Sequence, residues 1–477
     1  MISHSDVLVV GAGSAGSVVA ERLSADPNCL VTVLEAGLGF ADSQLQALTV
    51  NGCQLPIGSA SPLVRRYQTQ LTDCPARQAV ILRGATIGGS GAVNGGYFCR
   101  GVPADFDRTG IPGWAWSDVL PHFRAIETDL DFDTPAHGQN GPIMVRRTRE
   151  MVGITEVFVA AAGAAGFGWT ADLNDVVDPT SAGVGAVPLN IVDGVRMSSA
   201  LGYLIPALRR PNLTLVTQTR VLRLRFIGTR VIGVDAVGPQ GQISVTADRV
   251  VLSAGAIESA HVLMLSGVGD EEMLHAAGID LVVPAPVGQA CSDHPEWLLP
   301  VHAMATAHRP VLEVVLNAAE GMEIRPYTRG FSAMVGDGLD QGSPDWPHIG
   351  VALMQPQSRG RITLVSSDPG VPPRIEHHYD SEPDDIAALR RGTELVRDVM
   401  MRQARVAEPV WSTSQHLCGS APMGVQDDPR AVVDQRCRVR GVDGLWVVDG
   451  AVLPVITSRG PHASIVMLAH RAAEFIR

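Results

Sequence analysis

Three glycines in Gly11-Ala12-Gly13-Ser14-Ala15-Gly16 stand at the spacing of a strand-to-helix turn that binds a dinucleotide. Each has its own task. Gly11 permits the tight turn, Gly13 lets the backbone lie against a pyrophosphate, and Gly16 lets the helix close on the strand. The N-terminus of the helix that follows then presents free N–H groups and a positive dipole to the phosphates. Glu35 ends the next apolar run, where a carboxylate can accept hydrogen bonds from a ribose. The other reactive candidates are the 14 histidines. A neutral imidazole can take up or give a proton near pH 7, so they are candidate general bases or acids.

The rest of the composition narrows the chemistry. All 37 basic residues are Arg, so there is no Lys for Schiff-base chemistry and every fixed cation is a guanidinium. A net charge of −12 argues against nucleic acid as the partner. Seven scattered Cys without a CxxC pair suit a reduced cytoplasmic protein, and no Cys, His or carboxylate spacing predicts a metal site. The run Val7–Ala20 has no basic segment before it, and no uncharged apolar stretch approaches the roughly 18 residues of a membrane span.

The elements that must position these residues read as an α/β protein with a Rossmann-like domain in several chain segments and a sheet-based second domain. The dinucleotide-binding pieces are expected at 1–145, 190–295 and 406–477. Their strands are Asp6–Val10, Leu30–Leu34, Leu213–Thr217, Val231–Val237, Arg249–Ser253 and Leu445–Val448, with helices at Ile257–Leu265 and Ala463–Ile476. In the last helix Ile465, Leu468, Ala469, Ala472 and Ile476 recur at helical spacing and predict one buried face. Segments 146–189 and 296–405 carry turn signals (336–338, 342–344, Pro372-Pro373) and are expected to form the substrate domain. No second GxGxxG follows a strand, so electrons are expected to come from the substrate directly rather than from a nicotinamide.

Several further segments resemble the glucose–methanol–choline (GMC) oxidoreductases. Gly84 to Asn94, continuing through Phe98, Gly101 and Asp107, is similar to the first family signature, with Ala85 at a usually basic position. Gly255-Ala256-Ile257-Glu258-Ser259-Ala260, running on to Gly269, resembles the second. Val287 to Pro295 is similar to the segment that ends in Asp-His-Pro, and Trp446 to Gly450 to the strand whose Asp-Gly turn meets the cofactor.

That resemblance implies FAD as cofactor, held by Gly11, Gly13, Ser14, Gly16 and Glu35 together with Gly88, Gly89, Ser90, Asn94, Val221, Asp449 and Gly450. Some members tether the flavin through a His just before the Asn; Val93 stands there, which implies non-covalent FAD. His416, opening a segment that ends in Met423-Gly424, falls where the family has its catalytic base. His462, in Gly460-Pro461-His462-Ala463, falls where it has a second His or an Asn to hydrogen-bond the substrate oxygen. The implied reaction is alcohol oxidation by a dehydrogenase; an O₂-using oxidase and a redox-silent lyase are the alternatives on this scaffold. Chain length and the run Gly88–Gly101 resemble the mycofactocin-associated branch of actinobacteria. This branch implies reduced mycofactocin as donor, a quinone-like or respiratory-chain acceptor and a location at the membrane periphery. His377-His378 is expected in a solvated loop.

Overall fold

The computed structural model describes residues 4–39, 43–175, 182–335 and 345–476; the turn signals at 336–338 and 342–344 lie outside them. The apolar run at the N-terminus forms strand β1 (His4–Val10), and Gly13 precedes helix α1 (Ser14–Ser24). β1 lies between β2 (Val31–Leu34) and a long later strand, parallel to both. Val7, Leu8 and Val9 are fully buried, which is why the strand's second half, Val7–Val10, is continuously apolar rather than alternating. Four strands from the middle of the chain extend this sheet: β3 (Leu213–Val216), β4 (Arg220–Ile227), β5 (Arg230–Gly238) and β6 (Gly241–Leu252). β6 leads into helix α2 (Gly255–Leu265), and the C-terminal segment adds β7 (Leu445–Val447) and helix α3 (His462–Ile476). The strand order is β3-β2-β1-β6-β5-β4, with β7 paired to β6.

A second seven-stranded sheet is built from Val410–Thr413, Pro295–Pro300, His348–Leu353, Met322–Pro326, Val314–Ala318, Gly183–Ala186 and Gly168–Thr170, in that order. The helix Pro383–Met400 covers it, burying Ala388, Leu389, Val396 and Met400 in its core. Strand Val410–Thr413 pairs with Pro295–Pro300, so this sheet reaches beyond the boundary expected at residue 406. The hairpin Val64–Asp73 and Ala76–Gly84 pairs with Arg374–Glu376.

Two expectations need correction. α3 does not have a single buried face: Ser464, Val466, Met467 and Ala473 are buried as well as Leu468, Ala469, Ala472 and Ile476. It packs against both α1 and the helix Trp116–Ile126, and its apolar stripe is widened by small residues. His377 is not solvated. It is 2 % exposed, beneath the pairing of Arg374–Glu376 with the hairpin, and burial pushes its imidazole down to about 3. Its neighbour His378 turns out to bond Asp73.

Among the described residues no helix is long and apolar enough to cross a membrane, and all seven cysteines are free. Buried Glu127, Asp129 and His137, which sequence spacing had not grouped, lie close enough to share an ion. Their charge is already matched. Arg100 pairs with Glu127 and Arg147 with Asp129, while carboxylates on both ring nitrogens raise His137 to about 10 despite its burial.

Candidate active site

A cavity of about 470 Å³ opens between the two sheets. Ten of the twelve residues expected to hold the cofactor line it: Gly11, Gly13, Ser14, Glu35, Gly89, Ser90, Asn94, Val221, Asp449 and Gly450. Gly16 and Gly88 stand behind the wall. A Cβ on Gly16 would lie 1.9 Å from the Gly11 carbonyl oxygen, so this glycine permits the close approach of helix and turn. Gly88 donates its N–H to the Ala12 carbonyl at 2.7 Å, tying the two glycine loops together.

The loops meet at Gly13 and Gly89. Gly89 has φ +54°, and a Cβ there would sit 2.7 Å from the Gly13 Cα. The result is a side-chain-free cradle at the start of α1, the shape and polarity a pyrophosphate requires. Glu35 accepts from Ala12 N–H and Gly37 N–H, each at 2.7 Å, which leaves its carboxylate further acceptor capacity at the cavity wall. Asp449 behaves differently. Its oxygens are taken up by Gly255 N–H, Ser259 Oγ–H and Ala451 N–H, so it locks the start of α2 to the Asp-Gly turn. Cradle and carboxylate together fit FAD.

His416 and His462 also line this cavity. His416 follows strand Val410–Thr413 through Gln415, whose φ of +60° places a non-glycine residue in the left-handed region. Strain of this kind persists only where surroundings hold it. Here Gln415 Oε1 accepts from Leu82 N–H at 2.8 Å, and the Gln415 N–H donates to Thr413 Oγ1 at 3.0 Å. Asp293 then fixes two backbones at once. Its Oδ1 accepts from the His416 and His294 N–H groups, both at 2.7 Å.

This arrangement sets the His416 tautomer. The Thr457 carbonyl can only accept, so His294 Nε2, 3.1 Å away, carries a proton. Burial lowers His294 to about 3, so the ring is neutral and its Nδ1 is bare. His416 Nδ1, 2.8 Å from that atom, must therefore donate. The lone pair of His416 is left on Nε2. Burial, then the neighbouring His294 and the Arg325 and Arg83 guanidiniums, hold its imidazole well below the usual histidine value.

His462 has the opposite polarity. Asn94 Oδ1 accepts from Gly96 N–H at 2.9 Å, which turns Asn94 Nδ2 towards His462 Nδ1 at 3.3 Å. Nδ1 of His462 thus accepts, and Nε2 carries the proton. That N–H is buried and has no hydrogen-bond partner among the described residues; a Cβ on neighbouring Gly91 would come within 2.7 Å of its nitrogen. Burial lowers this imidazole to about 4, and its place at the first residue of α3 also favours the neutral ring. One half-buried wall therefore holds a bare nitrogen on one histidine and an unspent donor on another.

Two family models, both of GMC oxidoreductases, match residues 5–296 and 356–469. The chain belongs to the GMC oxidoreductase family. It is an FAD-dependent oxidoreductase. It is 43% identical to an uncharacterized GMC-type oxidoreductase from the thcA 5' region of Rhodococcus erythropolis, covering 99% of this chain and 98% of that one. It is 32% identical to an oxygen-dependent choline dehydrogenase of Brucella ovis, covering 99% and 95%. Among solved structures, pyridoxine 4-oxidase from Mesorbium loti superposes with a TM-score of 0.86 at 28% identity, over 98% of each chain.

In this GMC oxidoreductase the residues that sequence reasoning left without a role are Asp293 and His294. The segment Val287 to Pro295 contained them, yet nothing in their spacing showed that they reach His416, 122 positions beyond His294.

Proposed function

We propose that the protein oxidises an alcohol, with His416 as the base that receives the hydroxyl proton on Nε2. The observation that carries this reading is the tautomer of His416: an anchored relay from the Thr457 carbonyl through His294 leaves a bare nitrogen on the cavity wall. When bound, the flavin supplies the hydride acceptor. Asn94 holds His462 so that its Nε2–H is the available donor for the developing alkoxide. The names of the relatives, choline dehydrogenase and pyridoxine 4-oxidase, support an alcohol-type donor. An anaerobic screen of alcohols that follows flavin bleaching tests the reading; a flavin unchanged by every alcohol would point to a lyase instead.

The finer assignments rest on sequence resemblance: reduced mycofactocin as donor and a quinone-like or respiratory acceptor. Stopped-flow reoxidation decides the acceptor, because an oxidase returns to the oxidised form in air-saturated buffer as fast as with a dye.

Non-covalent FAD is supported by Val93, which offers no nucleophile beside Asn94. Heat or acid denaturation should release all of the flavin, as FAD, into the supernatant. Flavin that stays with the precipitated chain would show a covalent link, and FMN would remove the dinucleotide site.

A pH profile follows from the same geometry. His416 and His462 both lie below the ordinary 6.5, so both stay neutral as pH falls through that value. The limiting rate of flavin reduction should therefore be level from about pH 8 to about pH 5.5, where an unperturbed imidazole would be roughly nine-tenths protonated. A tenfold fall centred near 6.5 would mean that the base is an ordinary, solvated histidine.

A further inference from the structure

Four buried charges cluster at one side of the cavity, two of them, Glu296 and Arg325, on its lining. Glu296, Glu323, Arg325 and Arg459 are each no more than 5 % exposed. Arg325 stands at the centre. Its Nε donates to Glu323 Oε1 at 2.8 Å, and its Nη1 donates to Glu296 Oε2 at 3.1 Å and to Ser414 Oγ at 2.7 Å. The remaining carboxylate oxygens are also occupied. Tyr327 O–H donates to Glu296 Oε1 and Tyr97 O–H to Glu323 Oε2, both at 2.8 Å, and Ser414 O–H donates to Glu296 Oε2 at 2.8 Å. Gly350 makes room for this: a Cβ there would lie 2.1 Å from Glu296 Oε1.

Two carboxylates face two guanidiniums, with Arg459 acting on Glu323 and Tyr97. These four charges cancel one another. No oxygen of either glutamate lacks a donor, and Arg325 is committed to the two glutamates between which it lies. Leu298, Val311, Leu312 and Phe331 line the cavity as well, together with the uncharged polar side chains of Tyr97, Tyr327, Ser412, Ser414 and Gln415. A substrate cation would have to displace Arg325 from Glu296, and a substrate anion would have to compete with both glutamates for Arg325. Either exchange breaks a buried pair, which is costly.

We infer that Arg325 determines specificity, closing the chamber to charged alcohols and reserving it for uncharged donors. The inference rests on the alcohol-oxidation reading for the word donor, but the binding preference can be measured without turnover. The probes are an isosteric pair, choline and 3,3-dimethylbutan-1-ol, which differ only in a quaternary nitrogen replaced by carbon. Each is titrated into the FAD-loaded enzyme while the flavin absorbance is followed, which reads binding whether or not hydride is transferred.

The neutral isostere should bind at least roughly tenfold tighter than choline in the natural protein. Arg325→Met, checked for normal FAD content, frees Glu296 and should move the ratio by roughly tenfold or more towards choline. Arg325→Lys keeps a cation and should keep the neutral preference, which separates a charge effect from a loss of packing. Tighter binding of choline to the natural protein, no binding of the neutral isostere, or an Arg325→Met ratio equal to the natural one would each overturn the inference. If the neutral alcohol binds as expected but never bleaches the flavin, it is the alcohol-oxidation reading that fails.

Discussion

Replacing His416 with Ala should slow flavin reduction by roughly 10²–10⁴-fold, the usual worth of a positioned general base. The expectation follows from what the side chain does and does not support. His416 lines the cavity and makes its one side-chain hydrogen bond, to His294, through Nδ1. Its backbone anchor to Asp293 Oδ1 uses the peptide N–H, which Ala retains. The strained turn at Gln415 is held by Leu82 and Thr413 rather than by the imidazole. The glycine cradle at Gly13 and Gly89 is formed by other segments altogether. FAD content should therefore stay normal while the rate collapses. Single-turnover stopped-flow under anaerobic conditions gives the rate, and flavin absorbance against protein gives the occupancy. Reduction at the natural rate with full FAD would remove His416 from the chemistry, whereas a parallel loss of FAD would mean that its main contribution is to the fold.

Much of the cofactor side was legible because its signals are local. Gly11, Gly13 and Gly16 sit within one turn, and Val7–Val10 of β1, β2 and β7 are buried on both faces, so they read as mainly apolar runs, with Thr32 the one polar residue among them. Strand β4 lacks a clean alternation: Arg220 and Arg223 are three apart, its register shifts between Val221 and Arg223, and it lies at the sheet's outer edge. What sequence could not show is closure over distance. His377 looks polar and loop-like, and is buried only because Arg374–Glu376 pairs with a hairpin some 300 positions earlier. Asp449, on the cavity wall, ties to Gly255 and Ser259 at the start of α2, 194 and 190 positions earlier. The Glu296–Arg325–Glu323 group is likewise spread over two strands, and only the register of Pro295–Pro300 and Met322–Pro326 about His348–Leu353 brings it together.

His294→Leu should slow reduction by roughly 10–10²-fold, the range typical of a partner that orients a functional imidazole without touching substrate. His294 is fully buried and does not line the cavity, so its effect must pass through His416. With Leu in place, His416 Nδ1–H loses its acceptor. The ring then gains nothing by keeping its proton on Nδ1, and the tautomer with a protonated Nε2 becomes populated. In that form the cavity-facing nitrogen cannot accept a proton, so the active fraction falls. His294→Gln provides the control, because a side-chain carbonyl can still accept from Nδ1–H and should recover part of the rate. The sharper test is the double variant. If His294 acts only by setting the His416 tautomer, adding His294→Leu to His416→Ala should cost nothing further, since there is no imidazole left to orient. A second loss of 10-fold or more on the His416→Ala background, with FAD occupancy unchanged, would show that His294 reaches the reaction by another route.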